Sequence, residues 1–157
     1  MGTMKVTLRR LNEACHLEAA NETGNTVSID GSPAVGGVGQ GARPMELMLM
    51  GLGGCSAIDI ISILKKARQP LADLQVAIEA ERQQGVEPAL FTTIHAHYVI
   101  FGELSADRVK QAVDLSLSKY CSVARLLEQS ATLTWSWEIR PASSSNSNTL
   151  SHESTSL

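Results

Sequence analysis

The sequence has no excess of basic residues and no basic run: thirteen Lys and Arg stand against sixteen Asp and Glu, a net charge of -3. That leaves no electrostatic footprint for nucleic acid or an anionic membrane surface. The opening "MGTMKVTLRR" has no apolar core of the signal-peptide kind, so a cytoplasmic protein is the expectation. The three cysteines, Cys15, Cys55 and Cys121, form no C-x-x-C pair. In a reducing compartment disulfides are transient and usually chemical rather than structural, and a thiolate zinc site is poorly supported. The glycine-rich stretch 31–44, "GSPAVGGVGQGARP", lacks a Walker lysine and fits a dinucleotide fingerprint badly, so it reads as a connecting loop. There is no nucleophile elbow for a Ser-His-Asp hydrolase.

What is present is one domain's worth of chain, 157 residues with a 43% hydrophobic share, enough to bury a core. Its longest apolar run, Leu47 to Leu64, approaches membrane-spanning length. It also holds three glycines, two serines, Cys55 and Asp59. A charge in lipid costs about 2.5–3.5 kcal/mol even on insertion scales, so a core helix is the better reading.

The order of elements follows from periodicity. "KVTLRR" and "HLEAANETGNTVSID" alternate in and out, with Gly24-Asn25 as a hairpin turn. A helix is predicted from Pro44 to about Arg68, with Glu46 in its first turn and Pro70 as the stop. Gly51, Gly53 and Gly54 imply a bend or a close helix crossing before Cys55. "DLQVAIEAERQ" and "LFTTIHAHYVIFG" read as strands joined through "VEP". Ser105 is placed to cap "SADRVKQAVDLSLSKY", and a short helix follows from Cys121 to about Gln129. "TLTWSWEI" closes the fold as a strand with Leu133, Trp135 and Trp137 on one face. Residues 1–140 form the domain, and the serine-rich 141–157 reads as a disordered tail. Strands, long helix, strands, helix pair and strand together indicate an α+β fold.

Several residues are candidates for chemistry. Cys55, inside an apolar helix, is by default a small hydrophobe. Cys121 sits between two helical stretches, where a helix N-terminus and Lys119 would favour thiolate. Spacing alone does not show that the two thiols meet. Asp59, four residues after Cys55, shares its face; a carboxylate there raises a thiol pKa, and a structural hydrogen bond is its favoured role. Glu46 lies nine residues before Cys55, half a turn out of phase and roughly 13 Å along a straight helix, and Arg43 has the same difficulty. A bend or a second subunit would be needed to bring either to the thiol. His95 and His97 share a strand face that could chelate a metal if a third ligand such as His16 joined them, but a solvent-facing strand side is the preferred reading. Cys15 reads as a strand-core thiol.

The segments "RPMELMLMGLGGCSAIDI" and "KYCSVARLL", with Cys55 and Cys121 separated by 121 − 55 = 66 residues, resemble the OsmC/Ohr family of osmotically inducible and organic hydroperoxide resistance proteins. The likeness runs from about Lys5 to Arg140, and "PMEL" followed by "LGGC" resembles a less characterised OsmC-like branch. The resemblance implies antiparallel strands around a long central helix, in an intertwined homodimer with its active sites at the subunit interface. It implies a thiol peroxidase without cofactor or metal, in which Cys55 attacks an organic hydroperoxide and Cys121 resolves the sulfenic acid to a disulfide that a dithiol reductant reopens. Greasy walls along the Met45 to Leu64 helix would favour an organic peroxide. Family peroxidases carry a helper glutamate directly after the proline. Here Pro44-Met45-Glu46-Leu47 moves the carboxylate by one residue, about 100° around the helix. For the family's partner arginine, Arg43 is the local candidate, ahead of Arg9 and Arg10. The rival expectation is a non-catalytic dimer that binds an apolar small molecule between its subunits.

Overall fold

The structure is a computed structural model and describes residues 2–144. Its contacts divide into two compact units, with the division between Met50 and Gly51, inside one helix.

The first unit holds a three-stranded antiparallel sheet in the order β1-β2-β3: β1 Val6–Arg10, β2 Leu17–Asn21 and β3 Thr26–Ile29. The hairpin between β2 and β3 turns where the sequence placed it, with Gly24 at φ 87°, a conformation that favours glycine. The glycine-rich loop that follows is organised around Asp30, which is buried in it. The Asp30 carboxylate accepts backbone N–H groups from Gly31 at 2.8 Å and from Val38 and Gln40 at 3.1 Å each. These bonds, the one from Gln40 foremost, hold its pKa down at about 2. Cys15 belongs to this arrangement rather than to a strand core. It lies in the connection between β1 and β2, and its thiol donates to Asp30 Oδ1 at 3.4 Å.

Helix α1, Pro44–Lys66, starts on proline as expected and carries Glu46 in its first turn. It ends two residues short of the expected Arg68, which takes a left-handed φ of 56° before Pro70. In the second unit the buried positions of α1 are Leu52, Ser56, Ile60 and Leu64. Their four-residue spacing makes one inward stripe along the helix. Gly53 faces β4, Asp73–Arg82, where an added Cβ would lie 3.3 Å from Ile78 Cδ1; the close approach there is to a strand and not the expected crossing helix. By length and composition α1 could cross a membrane. Its inward stripe is packed into the protein, as a core helix requires.

The second sheet has the order β4-β5-β6, with β5 Phe91–Phe101 at its centre and β6 Thr132–Arg140 on the far edge. Ile94, Ala96, Tyr98 and Ile100 of β5 are all at most 1% exposed, the signature of a central strand with one face on the core. The pairing of β4 with β5 is antiparallel, but β5 and β6 run parallel, a departure from the expected all-antiparallel arrangement. The reason is the crossover: α2, Ala106–Leu115, and α3, Ser122–Leu127, lie between them in the chain and return it to the same end of the sheet. Ser105 occupies the N-cap of α2, without the side-chain capping bond its identity suggested. The expected continuation of α2 to Tyr120 is instead a π-helical turn over Ser116–Tyr120. Pro141 onward was read as tail; Ala142–Ser144 form a short 3-10 turn, and 145–157 fall outside the described residues.

Candidate functional site

The second unit brings together two thiols that stand far apart in sequence. Cys55 is half-buried on α1, and Cys121 is fully buried at the N-cap of α3. Their sulfur atoms and a carboxylate oxygen of Asp59 lie within 4.8 Å of one another. Spacing left open whether the thiols meet; the fold places them side by side.

The local reason lies in the π-helical turn. Its wider winding lets the Cys121 N–H bond to Ser116 O at 2.8 Å, and the chain then turns directly into α3. Arg125 fixes this turn from the other side, with its guanidinium donating to the carbonyls of Ser118 at 2.7 Å and Leu117 at 2.5 Å. The same group pairs with Glu128 at 2.8 Å. At the cap itself, Cys121 Sγ accepts the Ala124 N–H at 3.4 Å.

That helix N-terminus was expected to favour thiolate at Cys121, and the outcome is the reverse. Burial pushes the thiol up to about 11, the neighbouring Cys55 adds to the rise, and the N–H groups of Ala124 and Val123 offset it only in part. Lys119 does not supply the missing cation, because its Nζ lies over the Tyr120 ring, 5.2 Å from the centroid.

Three hydroxyls missed in the sequence complete the surroundings. Tyr98, buried on β5, donates to Ser56 Oγ at 2.6 Å, and burial raises its own pKa to about 12. Ser56 hands the bond on to Leu52 O at 2.7 Å. Ser116 Oγ lies 3.0 Å from Asp59 Oδ2 and 3.2 Å from Ser56 O, so Asp59 has the structural hydrogen bond foreseen for it. The available signal was Tyr98 at a core-facing parity on β5, where a phenol must find a partner. Nothing in the spacing marked Ser116.

The other candidates are placed elsewhere in their own units. Arg43 and Glu46 form an ion pair at 3.7 Å, about half exposed, and Glu46 Oε1 lies 3.4 Å from the Arg43 N–H. Arg9 pairs with Glu18 across the β1-β2 ladder at 3.0 Å. Arg10 donates to the carbonyls of Ala14 and Glu13. His16 bonds Ser28 Oγ at 2.7 Å. His95 and His97 lie on the solvent side of β5 and are tied into a ladder along β6. His95 meets Thr134 at 2.7 Å and Ser136 at 2.8 Å; His97 meets Ser136 at 2.7 Å and Glu138 at 2.9 Å. Arg140 first, and then His97, lower the Glu138 pKa. Each imidazole nitrogen thus has a protein partner, which favours the strand-side reading over chelation.

Comparison with known proteins gives a consistent picture. A family model described as OsmC-like protein matches residues 37–136. Protein YhfA of Escherichia coli strain K12 is 42% identical over 118 residues, which span 74% of this chain and 84% of the relative. A hypothetical protein from Aquifex aeolicus VF5, known from its crystal structure, is 32% identical with a TM-score of 0.78, covering 90% of this chain and 98% of its own. An organic hydroperoxide resistance protein OsmC from Legionella pneumophila shares the fold at a TM-score of 0.68 and 14% identity, covering 88% and 98% of the two chains. Fold, motif order and family match agree: the chain belongs to the OsmC family of OsmC-like proteins.

Proposed function

We propose that the protein is a thiol-dependent peroxidase that reduces organic hydroperoxides in oxidative stress defence, through Cys55 and Cys121. The observation that carries this reading is the approach of the two sulfurs to within 4.8 Å, one half-buried and one fully buried. The more accessible Cys55 attacks the outer peroxide oxygen as thiolate; the O–O bond breaks, Cys55 becomes a sulfenic acid, and the alkoxide takes a proton to leave as alcohol. Cys121 then attacks the Cys55 sulfur, expelling the hydroxyl as water and forming a disulfide. A dithiol reductant reopens that disulfide and leaves as its own disulfide. The balance is one hydroperoxide and one dithiol in, and one alcohol, one water and one disulfide out. A family neighbour of the same fold is itself described as an organic hydroperoxide resistance protein, which supports the substrate class.

The buried state of Cys121 suits a resolving thiol. Its raised pKa keeps it protonated near neutrality, so it does not compete with Cys55 for peroxide. Arg43 and Glu46, an ion pair at 3.7 Å, are assigned the helper role toward the thiol of a second subunit, supplying a cation and its orienting carboxylate to a developing oxyanion. The protein is proposed to act as a cytoplasmic homodimer. Ile58 at 69% and Ile61 at 43% exposure, three residues apart on α1, form an apolar strip that a second copy would cover. A dithiol-coupled assay with cumene hydroperoxide tests the assignment. Cys55→Ser should abolish turnover while the fold persists, and Arg43→Gln should lower kcat/KM by roughly 10- to 1,000-fold. Full turnover in Cys55→Ser would end the proposal, and binding of an apolar ligand retained in that variant without turnover in either protein would support the rival non-catalytic dimer.

A further inference from the structure

The geometry points to a second use of the same pocket: in the reduced protein, Cys55, Cys121 and Asp59 form a binding site for a thiophilic divalent cation, zinc above all. The inference uses the thiols of the proposed peroxidase but does not depend on peroxide chemistry. Two cysteine sulfurs and one carboxylate oxygen lie within 4.8 Å of one another. In a tetrahedral site with Zn–S near ~2.3 Å and Zn–O near ~2.0–2.2 Å, such donors sit about 3.6–3.8 Å apart. Cys55 and Asp59 are one helical turn apart on α1, so they grip from one face, while Cys121 closes the site from the N-cap of α3.

The carboxylate is also held as a ligand should be. Ser116 Oγ, 3.0 Å from Asp59 Oδ2, fixes its orientation, the role that outer hydrogen bonds play at metal centres. Ser116 is itself buried and belongs to the π-helical turn that positions Cys121, so one residue sets both donors. Three protein donors leave a fourth position open on the side of half-buried Cys55 and Asp59, the donor count of a zinc site that keeps an exchangeable ligand. On binding, two S–H bonds are replaced by two Zn–S bonds and the two protons pass to solvent, so affinity rises with pH. Metal and disulfide are mutually exclusive, because both consume the same sulfur electron pairs. The absence of C-x-x-C concealed this from the sequence: the thiols are supplied by two elements 66 residues apart (121 − 55 = 66).

The test is anaerobic titration of the reduced full-length protein with Co²⁺, then displacement by Zn²⁺ against a chromophoric chelator. One equivalent per chain should bind with a thiolate-to-cobalt band in the near ultraviolet and visible bands of tetrahedral cobalt. Cys55→Ser should lose about half of the thiolate band. Asp59→Asn should keep the band and weaken zinc binding by at least about 10-fold, with an unchanged melting temperature in the absence of metal showing that the fold is intact. Absence of a thiolate band in the wild-type protein, a band indifferent to Cys55→Ser, or equal zinc affinity in wild type and Asp59→Asn would each overturn the site. No peroxide enters the readout. Zinc binding without peroxide turnover would therefore keep this inference and remove the peroxidase, and turnover without zinc binding would do the opposite.

Discussion

Cys121 shows how competing local effects are decided by magnitude. A helix N-terminus lowers a thiol pKa and burial raises it; here burial dominates and the group rests at about 11. The consequence for stability has a definite sign. A folded-state pKa above the ordinary value of 9.0 means that the unfolded chain ionises first, so reduced protein should lose stability as pH rises from about 9 to about 11. Urea melts across that interval should show a falling midpoint in wild type and a flatter profile in Cys121→Ala. The same raised pKa predicts that disulfide closure speeds up with alkalinity, which stopped-flow measurement of closure after a peroxide pulse would read. In Cys121→Ser, one equivalent of hydroperoxide should be consumed per chain and turnover should then stop at the sulfenic acid, detectable by dimedone labelling.

At the scale of elements, α1 and the π-helical turn do most of the positioning. Truncating Ile60 or Leu64, each fully buried on the inward stripe of α1, should cost about 2–5 kcal/mol by chemical denaturation. In the first unit, Gly37 has no room for a side chain, since an added Cβ would lie 1.7 Å from Gly31 O. Gly37→Ala should therefore force the Asp30-centred loop open, with faster amide exchange at Val38 and Gln40. Much of this layout was readable in advance: Pro44 and the apolar run announced α1, alternation announced β4 and β5, and Gly24 marked the hairpin. The π-helical turn was not legible, because a single residue of extra winding leaves the helical pattern of "DLSLSKY" intact. Nor was the parallel pairing of β5 with β6, which depends on where two intervening helices deliver the chain. Cys15 was misplaced because its partner, Asp30, lies across a loop with no periodicity to read.

At the scale of the molecule, the OsmC-like match over residues 37–136 takes in both Cys55 and Cys121. Exposed apolar side chains on α1 motivate the proposed homodimer. Ile58→Glu should convert the proposed dimer to monomer in sedimentation velocity, since a carboxylate buried against an apolar partner has no compensating charge. The central claim is that Cys55 and Cys121 are one redox pair. The most direct measurement is anaerobic titration of fully reduced protein with tert-butyl hydroperoxide, followed by peptide mapping of its disulfides. A Cys55–Cys121 bond formed at about one peroxide per chain is the predicted result; thiols that survive excess peroxide, or a bond that joins Cys15 instead, would contradict it.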